Sequence, residues 1–316
     1  MPEISEQTEI PESLAGKRLD QALAEMFPDY SRARLQSWVK QGQIRVNQKQ
    51  WRCKDKVRGG EVVALNVEES IEQTEFEPEP VALDVLHEDE SIIILNKPKG
   101  LVVHPASGNW SGTLLNGLLH RYPELGDLPR AGIVHRLDKN TTGVMVVARN
   151  LKSHKSLVDA LQARSMGREY LALVQGALVA GGTIDAPIGR HPKDRKRMAV
   201  VNNGKEAVTH YLIAERFKDY TLLRVKLETG RTHQIRVHMS HTHHPIVGDP
   251  VYGGRLKLPR EASEELMETL RGFRRQALHA ETLTLIHPES GEPVSWSAPV
   301  PDDFQNLLTI MRTFNQ

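Results

Sequence analysis

One short polar run in this chain is built for chemistry. It reads His135-Arg136-Leu137-Asp138-Lys139-Asn140-Thr141-Thr142-Gly143, and an apolar stretch over 144–148 follows at once. That order predicts a loop carrying Asp138 and feeding a buried strand, and loops held by a rigid scaffold are where reactive groups concentrate. A carboxylate so placed can attack an electron-poor carbon or stabilise its charge, as in retaining glycosidases. The run offers no second carboxylate, which ordinary glycoside hydrolysis uses to protonate the leaving group or activate water. The plainer use of an isolated Asp is to cap a turn, here by accepting from the amides near Lys139 to Thr142.

Four further runs bracket this one. Asn96-Lys97-Pro98-Lys99-Gly100-Leu101-Val102-Val103-His104-Pro105 precedes it. Arg168-Glu169-Tyr170, Gly230-Arg231-Thr232-His233-Gln234-Ile235-Arg236-Val237-His238 and Gly248-Asp249-Pro250-Val251-Tyr252-Gly253 follow. One short motif matches by chance often, whereas several in a fixed order do not. Together they resemble the RluA-type pseudouridine synthases, over residues 83–300.

The resemblance implies a reaction in which the bond from ribose C1′ to uracil N1 breaks, the base turns, and C5 joins C1′. Nothing is oxidised and no group leaves, so no cofactor or metal is expected. The chain also has no phosphate-binding loop, dinucleotide fingerprint or HExxH sequence. By resemblance Asp138 is the nucleophile, and Arg231 is the guanidinium that pairs with it and fixes its direction. Tyr170 would stack on uracil and take a proton late in the reaction, although a phenol of ordinary pKa about 10 is a poor base. A core tyrosine with a satisfied hydroxyl is the plainer reading of Tyr170. Arg136 would fill the gap left when the target uridine flips out, offsetting part of a cost of a few kcal/mol. Ile235 would wall the uracil pocket, or equally serve the core. His135, His104 and Lys97 complete the expected substrate-binding set, the two histidines chiefly as loop orienters. His233, His238, His241, His243 and His244 crowd into twelve residues. Zinc there would need three ligands of fixed geometry, and packing or phosphate binding is the expected use instead.

These groups need elements to position them. Strands are expected at 91–96, 143–149, 170–175, 207–214, 221–228 and 281–287, with helices at 113–121 and at 152–164 behind Asn150. The irregular order favours an α+β fold with a mostly antiparallel, mixed sheet over a regular parallel repeat. This catalytic domain is expected over 81–316.

The net charge of +1 hides opposite blocks. Residues 13–66 carry a net +6, whereas 67–80 hold six Glu and no Lys or Arg. Apolar spacing in the first block predicts two short helices, the second capped by Ser31, and then strands at 44–46 and 61–65. From Arg18-Leu19-Asp20 to Gly42-Gln43-Ile44-Arg45-Val46-Asn47 the block resembles the S4 RNA-binding module. Arg18, Arg32, Arg34, Lys40 and Arg45 are its expected phosphate contacts, giving affinity without reading sequence. A merely solvated helical hairpin is the alternative. A second basic run, 190–197, sets five cations against Asp194 alone. Residues 1–12 read as a disordered tail and 67–80 as an extended acidic linker.

The partner implied is ribosomal RNA, in a pre-ribosomal large-subunit particle, at closely spaced uridines of one stem-loop at the subunit interface. A monomer is expected, without a nucleotide cofactor. No run approaches the roughly 20 apolar residues that cross a bilayer. The acidic N-terminus differs from a secretory signal, and Cys53 is the only cysteine, so a cytoplasmic, membrane-free protein is expected. Two other functions stay open: an RNA or nucleotide glycosidase, and an RNA-binding ribosome-assembly factor that keeps the fold without the chemistry.

Overall fold

A computed structural model describes residues 3–27, 32–68, 76–106, 108–194, 197–259 and 261–315. The chain forms two compact units, Met1–Glu75 and Phe76–Gln316.

The first unit holds β1 (Glu3–Glu9), α1 (Leu19–Met26), α2 (Arg32–Gln41), β2 (Ile44–Val46) and β3 (Val62–Glu68). Its sheet runs β1-β3-β2, antiparallel throughout. Leu19, Ala22, Leu23, Leu35, Trp38 and Val39 turn inward from the helices and meet Ile44, Val46, Val63 and Leu65. Two expectations need correction. The stretch 1–12 is not a free tail over its described residues, because Glu3–Glu9 adds a strand to the free edge of β3. The acidic linker is also shorter than 67–80. β3 runs through Glu68, and Asn116 Nδ2 donates to Glu77 O while the Glu79 carboxylate accepts from Gly112 N, binding this end to the second unit. The cap expected at Ser31 lies outside the described residues.

The second unit begins with β4 (Val85–Glu88), β5 (Ile92–Lys97), α3 (Leu114–Arg121), β6 (Thr142–Ala148), α4 (Leu151–Gln162) and β7 (Gly167–Gln175). β8 (Gly182–Asp185), β9 (Ile188–Arg190), β10 (Met198–Val200), β11 (Val208–Arg216) and β12 (Tyr220–Leu227) follow. α5 (Gln234–His241), α6 (Glu264–Gly272), β13 (Leu278–Ile286), β14 (Pro293–Ser297) and α7 (Asp302–Asn315) complete it. The main sheet runs β4-β5-β6-β13-β7-β12-β11-β8, with β14 on β13. Only β6 and β13 pair in parallel; the other pairings are antiparallel.

β6 explains why this sheet has a centre. All seven residues of Thr142–Ala148 are buried, a continuous apolar run rather than an alternating one, as a strand covered on both faces requires. Each large apolar side chain so buried contributes roughly 1.5–3 kcal/mol. α3 and α4 start where the sequence supplies caps: Thr113 Oγ1 accepts from Asn116 N, and Asn150 Oδ1 from Ser153 N.

Pairing across the sheet aligns the chemistry. Gly143 sits opposite Ala280, and Ala280 opposite Tyr170, so the end of the Asp138 loop and Tyr170 share one row. Gly143 has φ +118, and a Cβ there would lie 2.1 Å from Ala280 O. Gly143→Ala is therefore expected to destabilise the protein by about 3 kcal/mol, combining overpacking with a disallowed backbone angle. Urea unfolding checks this; a midpoint unchanged from wild type would contradict the close approach.

Candidate active site

Asp138 lies in the loop entering β6. Its backbone carbonyl accepts from Thr141 N at 3.0 Å and closes the turn, which leaves the carboxylate free of that duty. The carboxylate turns instead to α5: Oδ2 accepts from Arg236 Nη1 at 2.9 Å, and Oδ1 faces His233 Nε2 at 3.8 Å. Side-chain capping of the turn is thus not its use here.

Arg236 is held from behind. Its Nε and Nη2 donate to the two oxygens of Asp249 at 2.7 and 2.9 Å, a bidentate fork on a fully buried carboxylate. Asp249 Oδ1 also accepts from Val251 N and Tyr252 N. Burial alone would raise the Asp249 carboxyl, but Arg236 and these amides outweigh it and hold it below the usual carboxylate range. Burial opposes the charge on Arg236 too, yet Asp249 and Asp138 more than compensate and fix it as a cation. The guanidinium lies 5.0 Å from the Tyr252 ring centre. Tyr252 Oη accepts from Met198 N, and its own proton is then available to His233 Nδ1 at 2.8 Å.

The expected partner of Asp138, Arg231, is corrected by this geometry. Gln234 is buried, and its Oε1 accepts from Arg231 N and Thr229 Oγ1 while its Nε2 donates to Val208 O. The turn ahead of α5 is thereby pinned to β11, and Arg231 Nε is directed to Glu206 O at 2.8 Å. His233 precedes the helix in a left-handed conformation, φ 58. Arg236, one turn into the helix, is the residue that reaches Asp138.

Tyr170 on β7 is buried, with Asp138 and Arg168 as its electrostatic neighbours. Burial pushes its phenol upward, Arg168 opposes and Asp138 adds to the rise, so it enters any reaction protonated. Ile235 is buried on α5. Arg136 is exposed and has no ion-pair partner among the described residues.

Lys97, expected to bind substrate, does something else. It is 1% exposed and spends its three donors on Pro98 O, Leu101 O and Lys139 O at 2.8, 2.9 and 3.0 Å. It ties the 98–101 turn to the Asp138 loop, with none of its three donors left for a ligand. Burial pulls its ammonium down to about 7, with Asp138 opposing and Arg275 adding. His135 Nε2 accepts from Val146 N, which locks the loop onto β6, and burial pulls its pKa down to about 3. His104 is half-buried and lowered to about 4, by burial and then by Arg130 and Arg136. Both rings are neutral near pH 7. The histidines after α5 begins disperse: His238 binds Thr209 Oγ1 and Ala186 O, and His244 meets Gln175 O.

In the first unit Asp20 is buried and gathers Arg18, Arg32 and Gln36. Burial would raise its carboxyl, but these three outweigh it. Both guanidinium groups stay half-exposed. Lys40 and Arg45 are exposed, and the Arg34 side chain lies outside the description. Arg18, Lys40, Arg52 and Lys54, with Val39 and Trp51, line an open cleft of about 550 Å³.

The site thus sets a carboxylate aimed by a buried arginine on a mixed sheet, with a buried tyrosine within reach of its charge. The sequence profile of RNA pseudouridylate synthases matches residues 91–241, and that of the S4 domain residues 17–63. The chain belongs to the RluA-type family of RNA pseudouridine synthases and is an enzyme of that class. It is 56% identical to ribosomal large subunit pseudouridine synthase D of Xanthomonas campestris pv. campestris, over 97% of this chain and 92% of that one. Against the protein of that name from Escherichia coli K12 it is 57% identical over 96% and 93%. The solved structure of human RNA pseudouridylate synthase domain containing 4 aligns with TM-score 0.57 at 27% identity, covering 72% of this chain and 93% of that one.

The far side of the Asp138 loop is held from α7. Arg275 donates to Asn140 O and forks onto Asp303, which also binds Lys99. Burial would raise the Asp303 carboxyl, but Arg275 and Lys99 bring it down to about 2. A depressed folded pKa gives stability that is present above about pH 4 and lost as pH falls through about 2. Asp303→Asn should therefore flatten the fall in urea midpoint across that window; a wild-type slope would contradict the linkage.

Proposed function

We propose that the protein isomerises uridine to pseudouridine in large-subunit ribosomal RNA, at closely spaced uridines of one stem-loop, with Asp138 as the carboxylate acting at C1′. The observation that carries this is the aim of Asp138. One oxygen is fixed by Arg236, and the carboxylate is partly exposed, with Tyr170 as an electrostatic neighbour. The names of the similar large-subunit enzymes support the substrate class.

The residues have work at each stage. As the bond from C1′ to N1 breaks, C1′ becomes electron-poor and Asp138 adds to it or balances its charge. The uracil carries the bonding pair, turns, and presents C5, which bonds to C1′ as the carboxylate departs. The C5 proton is then lost and N1 regains one, so the product is an isomer of the substrate. Tyr170, protonated and buried, is suited to stack on the base rather than to start as its proton acceptor. Exposed Arg136 can occupy the space the flipped nucleotide leaves, offsetting part of the unstacking cost. The cations of the first unit suit a phosphate backbone, so the RNA and the pre-ribosomal particle that carries it are the partners. Among the described residues no helix is long and apolar enough to cross a membrane.

Purified protein with EDTA and no nucleotide should form pseudouridine in large-subunit ribosomal RNA. Asp138→Asn should form none while binding the RNA with unchanged affinity. Release of free uracil would favour a glycosidase, and product from the Asn variant would remove Asp138 from the chemistry.

A further inference from the structure

The indole of Trp110 stands 70% exposed and makes no ring contact among the described residues. A lone exposed apolar residue needs no explanation; the setting of this one does. Ala106 and Asn109 exchange both backbone hydrogen bonds, at 3.0 and 2.8 Å, closing a tight turn immediately before Trp110. Two residues beyond, Gly112 N donates to both oxygens of Glu79 at 3.1 and 3.0 Å, and Thr113 caps α3. The indole is thus presented on a loop tied down on either side.

The loop borders the reaction. Asn109 Oδ1 accepts from Nζ of Lys139, the residue after Asp138, at 3.5 Å. His104, at the start of the loop, feels the charges of Arg130 and Arg136. An exposed aromatic face on a loop bonded to Lys139 has the chemistry of a single-stranded RNA platform, where cations track phosphates and a ring takes a base.

We propose that Trp110 stacks on an unpaired base of the RNA substrate neighbouring the target uridine, and so helps to hold the strand open for flipping. This rests on the RNA-modifying function argued above, and adds to it a contact outside the uracil pocket. A stacked base is tolerant of identity, because every base has a π-face. The contact therefore serves affinity and placement rather than sequence choice.

The test uses the full-length protein and the ribosomal RNA stem-loop it modifies. Trp110→Ala should weaken RNA binding about 5- to 150-fold, the range expected for loss of one stacked base. Trp110→Phe should keep most of the affinity and Trp110→Leu should not. Abasic substitution at each nucleotide flanking the target should reveal one position that costs the wild type affinity and costs Trp110→Ala nothing. Wild-type affinity in Trp110→Ala, or equal affinity in the Leu and Phe variants, would overturn the proposal. So would a defect seen only on the large-subunit particle and not on naked RNA, which would assign the indole to a protein partner. Affinity carries this test and conversion carries that of the proposed function, so either can fail without the other.

Discussion

One guanidinium buried between two carboxylates organises the active site. Arg236 has almost no access to water, and neither Asp249 nor Arg236 could remain charged there alone, since an unpaired buried ion costs several kcal/mol. The bidentate fork to Asp249 fixes the plane of the guanidinium, and that plane decides where its remaining nitrogen points. It points at Asp138. The direction of the Asp138 carboxylate is therefore inherited from a fully buried residue that sits behind the arginine. Lysine could supply the charge but not the fork.

The loop that carries Asp138 is gripped from several sides. Lys97 ties Lys139 O to the 98–101 turn, and Arg275 reaches Asn140 O from its anchor on Asp303. Gln276 donates to Thr141 Oγ1, and His279 meets Thr142 Oγ1. Gly143 then lets β6 approach β13 closely enough to pair in parallel. Residues 139 to 143 are each fixed by a different neighbour, as the role proposed for Asp138 demands of the loop that carries it. Much of what looks like substrate-binding machinery in the sequence, Lys97 above all, serves this grip.

How much could be read beforehand follows from how local each signal was. The Asp138 loop and β6 were legible because a polar run abutting a continuous apolar one fixes both from neighbouring residues. The two helices of the first unit were legible from apolar spacing, but its S4-like character rested on resemblance, carried by the order of features from Arg18-Leu19-Asp20 to Asn47, because clustered cations alone suit a solvated hairpin. β1 was not, because Glu-Ile-Ser-Glu-Gln-Thr-Glu has little apolar alternation and forms a strand only by pairing with β3 some sixty residues away. The partner of Asp138 was misassigned for a related reason. Arg231 and Arg236 lie in one motif, and choosing between them requires knowing that α5 starts at Gln234 and that Gln234 turns Arg231 away. The i, i+3 spacing of His233 and Arg236, with an Asp in the following Gly-Asp-Pro turn, was the available clue.

The orienting role of Arg236 is tested most directly by Arg236→Lys, which retains a positive charge and removes the fork. Single-turnover conversion at saturating RNA should fall about 100-fold or more, the scale of misplacing a reacting group by an ångström, while RNA affinity stays close to wild type when both are measured well below the variant's own, lowered thermal transition. A lysine variant that converts RNA at the wild-type rate would show that Asp138 is aimed by something other than this buried chain of charges.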